Sequence, residues 1–205
     1  MAGERLSTTR ERWLSGASAV LGLAGVMWIL EIVDSLDSHR LDRDGILPRS
    51  FSHLYGILLA PFLHASFGHL IDNTIPFLLL GLTIAFASAA RVLAVTAVVA
   101  LVSGIGTWLI APSGTYTIGA SGIVFGYATY LICRGFFDRN LGELAIGLCV
   151  GVIFGGALLS SLIPHTGISW QAHLFGGVGG ILAAQMFAST RSGSSSRSTE
   201  PRLMS

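Results

Sequence analysis

Six stretches of this chain, at 13–33, 68–88, 92–111, 120–134, 142–163 and 170–189, are almost free of charge, and nothing else in it constrains the fold as strongly. A helix rising 1.5 Å per residue needs about 20 apolar residues to cross a hydrocarbon core of roughly 30 Å. All but the fourth stretch have that length. Charged residues make up 11% of the chain, under half the roughly one quarter usual for soluble domains. The expected class is therefore an all-α polytopic membrane protein, with the lipid bilayer as its solvent. Net charge is +1, which gives no basis for a nucleic-acid partner.

The connections are read from what interrupts them. Residues 1–12 are polar, with Arg5, Arg10 and Arg12, and form an expected N-terminal tail. A cleaved signal peptide fits poorly, because the apolar run from Trp13 is too long and lacks a small-residue cleavage site. Glu31, the one carboxylate in that run, either reaches the interface or is buried against a partner. Residues 34–60 begin with Asp34, Asp37, Arg40, Asp42, Arg43 and Asp44 and become amphipathic. This reads as a long surface loop with one or two short interfacial helices, since Phe51, Tyr55, Phe62 and Phe67 suit a membrane boundary. The Ser/Arg-rich residues 190–205 have the composition of a disordered tail. One membrane domain over 13–189 lies between the two tails.

Six crossings put both termini on one side. Of the twelve basic residues, all arginine, nine (5, 10, 12, 91, 134, 139, 191, 197 and 202) then share that side, against 40, 43 and 49. The positive-inside bias makes it cytoplasmic, so the first loop faces outward. Cys133 and Cys149 lie in apolar stretches at no metal-binding spacing and read as packing residues.

The short fourth stretch opens on Gly119-Ala120-Ser121-Gly122. At about fifteen residues it cannot span the core unaided, so non-helical chain from Pro112 to Gly119 has to descend to meet it. Irregular backbone at that depth is tolerated only under a cover of protein or beside water, which places a cavity at Ser121. Three further polar residues fall inside apolar stretches: His69 and Asn73, four apart on one helix face, and His173. Each has an ordinary explanation, as helix-bridging hydrogen bonds, a backbone-bonded serine, or a relay or haem histidine.

Together they describe a reaction centre. A serine hydroxyl near its free pKa needs a base within about 3 Å, and His173 can supply it if two helices approach closely. Gly122-x-x-x-Gly126 follows the serine and Gly176-x-x-x-Gly180 follows the histidine, both in the small-xxx-small pattern of tight membrane packing. His69 and Asn73 present donors suited to a developing oxyanion. Asp72 points about 100° away from Asn73 around the helix, so the pair reads as a Ser–His dyad without an acid.

These residues resemble the rhomboid intramembrane serine proteases. The likeness runs from about residue 45 to 180 through GILPR (45–49), PFLH (61–64), HASFGHLIDN (64–73), GASG (119–122) and AHLFGGVGG (172–180). The resemblance implies a six-transmembrane-helix rhomboid-like bundle with a long first extracytoplasmic loop. It implies Ser121 as nucleophile, His173 as general base and acid, and an oxyanion pocket from His69, Asn73 and the Ser121 N–H. His64 and Arg49 would order the first loop, with Gly119, Gly122, Gly176 and Gly180 as packing support. By the same likeness no cofactor is needed, the partners are single-pass transmembrane protein substrates, and the location is a bacterial plasma membrane. A non-catalytic rhomboid-like protein that binds membrane helices is the alternative. Two departures stand out. Phe125 occupies a position where members often carry tyrosine, with Tyr127 nearby, and the first loop lacks the Trp-Arg pair of some bacterial members.

Overall fold

A computed structural model describes residues 2–165 and 167–188, with only the backbone for residues 2–6. Expectations for 190–205 lie outside the described residues. Seven α-helices follow in order: α1 (Ala2–Leu36), α2 (Gly56–Leu59), α3 (Phe67–Ala85), α4 (Ala89–Ile110), α5 (Ser121–Asp138), α6 (Leu141–Ser160) and α7 (Trp170–Met186). No strand occurs among the described residues.

Helix starts follow from local chemistry. Ser66 Oγ accepts the His69 N–H at α3, Ser88 Oγ the Arg91 N–H at α4, and Ser169 Oγ the Ala172 N–H at α7. Asn140 caps α6 through Gly142 and Glu143. Each cap satisfies a donor that the first turn of a helix cannot. The structure differs from the sequence reading at the N-terminus, where α1 begins at Ala2 and not at Trp13. Residues 2–12 hold three arginines and two glutamates, good helix formers, and no proline, so propensity carries the helix past its apolar part.

By length and composition, α1 from Ser7, α3, α4 and α6 can each cross a membrane. At 18 and 17 residues, α5 and α7 are shorter. They pack against each other at the centre, with α4 beside both, α1 and α3 to one side, and α6 leaning mainly on α5. The interior is formed by Phe77, Leu80, Ile84, Val92, Val95, Tyr127 and Tyr130. Outward-facing side chains are also apolar, among them Ile29, Ile75, Leu79, Leu148, Val152 and Ile153. On a soluble protein so much exposed apolar surface would be a liability; here it is the face that lipid covers. Both cysteines are free, Cys133 half-buried in α5 and Cys149 exposed on α6.

The first loop is a series of short turns, with 3-10 segments at Leu41–Asp44, Phe51–His53 and Ala60–Phe62 around α2. It supplies the cover that the irregular chain before α5 requires. Ile46 and Thr117 exchange two backbone hydrogen bonds of 3.0 Å, the Gly119 N–H donates to the Ala60 carbonyl at 2.8 Å, and the Ala120 N–H reaches His64 Nε2 at 3.4 Å. Arg49 anchors the other edge. Its guanidinium donates to the Leu109 and Ala111 carbonyls at 3.0 and 2.8 Å and to Ser113 Oγ, closing carbonyls that the end of α4 leaves open.

Candidate active site

Ser121 is the first residue of α5, and the turn that delivers it depends on Gly119. That residue has φ +115°, a region that side chains other than hydrogen avoid. A Cβ there would also lie 2.8 Å from both His69 Cε1 and Nε2 and 3.8 Å from Asn73 Nδ2. Absence of a side chain thus lets the two α3 residues close on the backbone just ahead of the serine.

His173 sits on the first turn of α7, buried. Its Nε2 is 2.9 Å from Ser121 Oγ, and its Nδ1 is 3.0 Å from the Ser161 carbonyl oxygen. A carbonyl only accepts, so Nδ1 carries the proton and Nε2 presents its lone pair to the serine hydroxyl. The orienting group of this pair is therefore a backbone carbonyl beyond the end of α6. Asp72 is exposed. The Phe125 ring stacks on the imidazole at 4.2 Å between centroids and 7° between planes. Tyr127 points elsewhere, its hydroxyl bonded to Thr96 and its ring stacked on Phe77.

Close approach of α5 and α7 makes the Ser–His distance possible. A Cβ on Gly176 would fall on the Gly122 carbonyl oxygen, and one on Gly180 on the Gly126 carbonyl oxygen. Gly122 itself faces Ser103 Oγ, which donates to the Ala172 carbonyl at 2.8 Å and ties α4 to the start of α7. The backbones touch because four contact positions, two on each helix, have no side chain.

Asn73 is buried and donates from Nδ2 to the His69 carbonyl at 2.9 Å, leaving its second amide hydrogen available. His69 Nδ1 faces the Ala65 N–H at 3.5 Å, which leaves the Nε2 proton directed toward the Gly119 turn. The Ser121 N–H, at the first helical position, has no intrahelical acceptor. His69 and Asn73 thus lie against the Gly119 turn that delivers Ser121. An open pocket of about 650 Å³ adjoins it. Its lining includes His69, together with Thr117, Ile118, Ser169, Trp170 and Gln171, which shortly precede Ser121 and His173 in the chain, and not Ser121 or His173 themselves.

His64 contributes more than loop order. It is fully buried, its ring lies edge-on to His69 at 5.1 Å, and it accepts the Ala120 N–H. Burial, then the His69 imidazole, push its pKa down to about 4, against a smaller opposing pull from the Phe62 backbone. The neutral form is thus favoured in the fold, so this histidine contributes stability above its unfolded value near 6.5 that is lost as pH falls toward 4. Its share is at most about 3 kcal/mol over that interval. Unfolding in mixed micelles, measured from pH 7 to pH 4, should show a shallower loss for His64→Gln than for the wild type. Parallel curves would remove His64 from that role.

A family model described as the Rhomboid domain matches residues 52–190. The chain belongs to the rhomboid family. An uncharacterized protein of Mycobacterium tuberculosis is 39% identical over 190 residues, covering 89% of this chain and 79% of that protein. One from Mycobacterium leprae is 37% identical over 213 residues, covering 98% and 84%. A Bacillus subtilis protein, provisionally named rhomboid protease YdcA, is 30% identical over 171 residues, covering 80% and 83%. With its apolar helices and this membership, the chain is an integral membrane protein with a rhomboid-like helical bundle.

Proposed function

We propose that this rhomboid-family chain is an intramembrane serine endopeptidase that cleaves single-pass membrane proteins within or beside their transmembrane segment. The observation that carries the reading is the 2.9 Å contact between Ser121 Oγ and an imidazole whose other nitrogen is held by a carbonyl. On this reading α5 and α7 also cross, giving six spans with both termini cytoplasmic and the pocket toward the outside; the arginine distribution supports it.

His173 Nε2 takes the hydroxyl proton as Ser121 Oγ attacks the scissile carbonyl carbon. Negative charge moves to the carbonyl oxygen, where the Ser121 N–H, His69 and Asn73 donate to it; one such donor is worth about 3 kcal/mol of barrier. The imidazolium then protonates the leaving amine, the C–N bond breaks, and an acyl-enzyme remains. Water from the pocket attacks this ester and gives its proton to His173, which returns it to Ser121 Oγ as the acyl C–O bond breaks, freeing the new carboxyl terminus and the serine. A substrate helix has its carbonyls hydrogen-bonded within itself, so it must unwind before attack. Segments with Gly, Pro or other weak helix formers near the pocket's depth are the expected substrates.

A fluorophosphonate probe tests this without knowledge of the substrate. Covalent label is expected on Ser121 of the folded protein in detergent and none on Ser121→Ala. A folded wild type that takes up no label would favour a helix-binding protein without chemistry.

A further inference from the structure

The expectation that Glu31 reaches the interface is not met: its side chain is 1% exposed, and both carboxylate oxygens lack a hydrogen-bond partner. One turn further along α1, Asp34 is equally buried. Its Oδ1 accepts the Leu41 N–H at 2.7 Å, while Oδ2 has no hydrogen bond and stands 3.6 Å from His39 Nδ1. The chain returns to Asp34 through two residues with positive φ, Ser38 at 61° and His39 at 56°. Asp42, on the following 3-10 turn, has a buried, unpartnered Oδ1. One ligand atom from each of Asp34, His39 and Asp42 lies within 4.8 Å of the others.

Charge makes this arrangement unusual. The groups acting on Glu31 are His39, Asp42 and Asp34, and those acting on Asp42 are Asp34 and His39. No arginine is among them; Arg40 pairs with Asp37 in the exposed part of the loop. Three carboxylates thus face one imidazole, and at least two negative charges are left unmatched when all are ionised. Uncompensated buried carboxylates are costly enough that they bind a cation or take up protons.

We propose that Asp34, His39 and Asp42, with Glu31 behind them, bind a divalent first-row metal ion of the zinc type at the C-terminal end of α1. The donor set decides the class: imidazole nitrogen with carboxylate oxygens suits Zn²⁺ or Mn²⁺, whereas Ca²⁺ and Mg²⁺ take oxygen alone. Donors at tetrahedral angles around such an ion stand about 3.4 Å apart, close to the Asp34–His39 separation. Asp42 completes the set by a rotation of its side chain. Glu31 contributes an oxygen or neutralises the ion from the next turn. The ion would fasten the Leu41–Asp44 turn to α1. That turn leads through Gly45 to the Ile46–Thr117 pairing, and Asp42 lines the same pocket as His69. The site therefore acts on the wall of the pocket and does not depend on any chemistry at Ser121.

The test uses untagged, chelator-treated full chain in detergent, with calorimetric titration of ZnCl₂ and MnCl₂ against MgCl₂. One saturable zinc or manganese ion per chain is expected, with a melting temperature that climbs with the logarithm of free ion. His39→Gln changes the most exposed ligand and should keep the fold while weakening binding at least about tenfold. Asp34→Asn should weaken it further. Absence of saturable binding by the wild type overturns the proposal, as does binding unchanged in the His39→Gln, Asp34→Asn double variant. Shared protons would give a different result, and one equally fatal to the proposal: Glu31→Gln would raise the melting temperature of metal-free protein, and zinc would leave it unmoved.

Discussion

A Ser121→Ala protein will release product from a single-pass model substrate in liposomes at least about 10³-fold more slowly than the wild type, and His173→Ala will be comparably slow. The sharper expectation concerns the pair. If hydroxyl and imidazole act as one unit across the 2.9 Å contact, removing both costs little more than removing either. A unit cannot be lost twice. The measurement is product per minute by gel, at matched protein and lipid, for the wild type, both singles and the double. Residual activity in Ser121→Ala within tenfold of wild type would end the proposal that Ser121 is the nucleophile. Two singles with modest losses that multiply in the double would mean separate roles. The neutral Nδ1 partner sharpens this further. With a Ser161 carbonyl where a carboxylate would otherwise stand, the imidazolium formed during attack is stabilised by a dipole alone. Catalysis then rests the more on stacking with Phe125 and on the donors opposite.

The helical fold and the Ser121–His173 contact were legible in the sequence for different reasons. Apolar length marks a helix without any tertiary knowledge, so five of the six long helices fall within a few residues of their expected bounds, and α1 departs only at its start. Ser121 and His173 stood out because polar groups are rare in such runs, and the glycines after each gave a reason for contact. What was not legible is carried by backbone. The Ser161 carbonyl that orients His173 has no side-chain signature, and no spacing rule reaches across the turn between α6 and α7. The role of His64 at the Ala120 N–H depends on how a thirty-residue loop folds back, which pattern cannot give. Glu31 shows the limit most plainly. A lone carboxylate near a helix end ordinarily reaches water, but Glu31 is 1% exposed, and its burial depends on tertiary packing that the sequence pattern does not carry. The polar start of α1 was missed because a change in hydropathy was read as a change in structure; helix propensity ignores that boundary.

The second large effect will come from a residue that does no chemistry. In Gly176→Leu the new Cβ lies 2.1 Å from the Gly122 carbonyl oxygen and within 3.0 Å of two further backbone atoms of Gly122 on α5. A flexible side chain can swing aside, but a helix backbone cannot, so α5 and α7 must separate. Overpacking of an interior usually costs about 1–3 kcal/mol, and a clash with main chain belongs at or above the upper end. Separation also lengthens the Ser121–His173 contact, so folded survivors should resist the fluorophosphonate probe. The neighbouring position supplies the control. A Cβ on Gly177 would meet only Thr129 Cγ2, at 3.5 Å, an ordinary contact, so Gly177→Ala should melt within a few degrees of the wild type and keep its labelling. If Gly176→Leu matched Gly177→Ala in both readouts, the two helices would not be in the close contact on which the dyad depends. If Gly176→Leu unfolded while Gly177→Ala did not, the small residues would be confirmed as what brings serine and histidine together. Without a driving force from water between helices, membrane segments associate through such close packing, and the same contact that holds the bundle is therefore the one that builds the site.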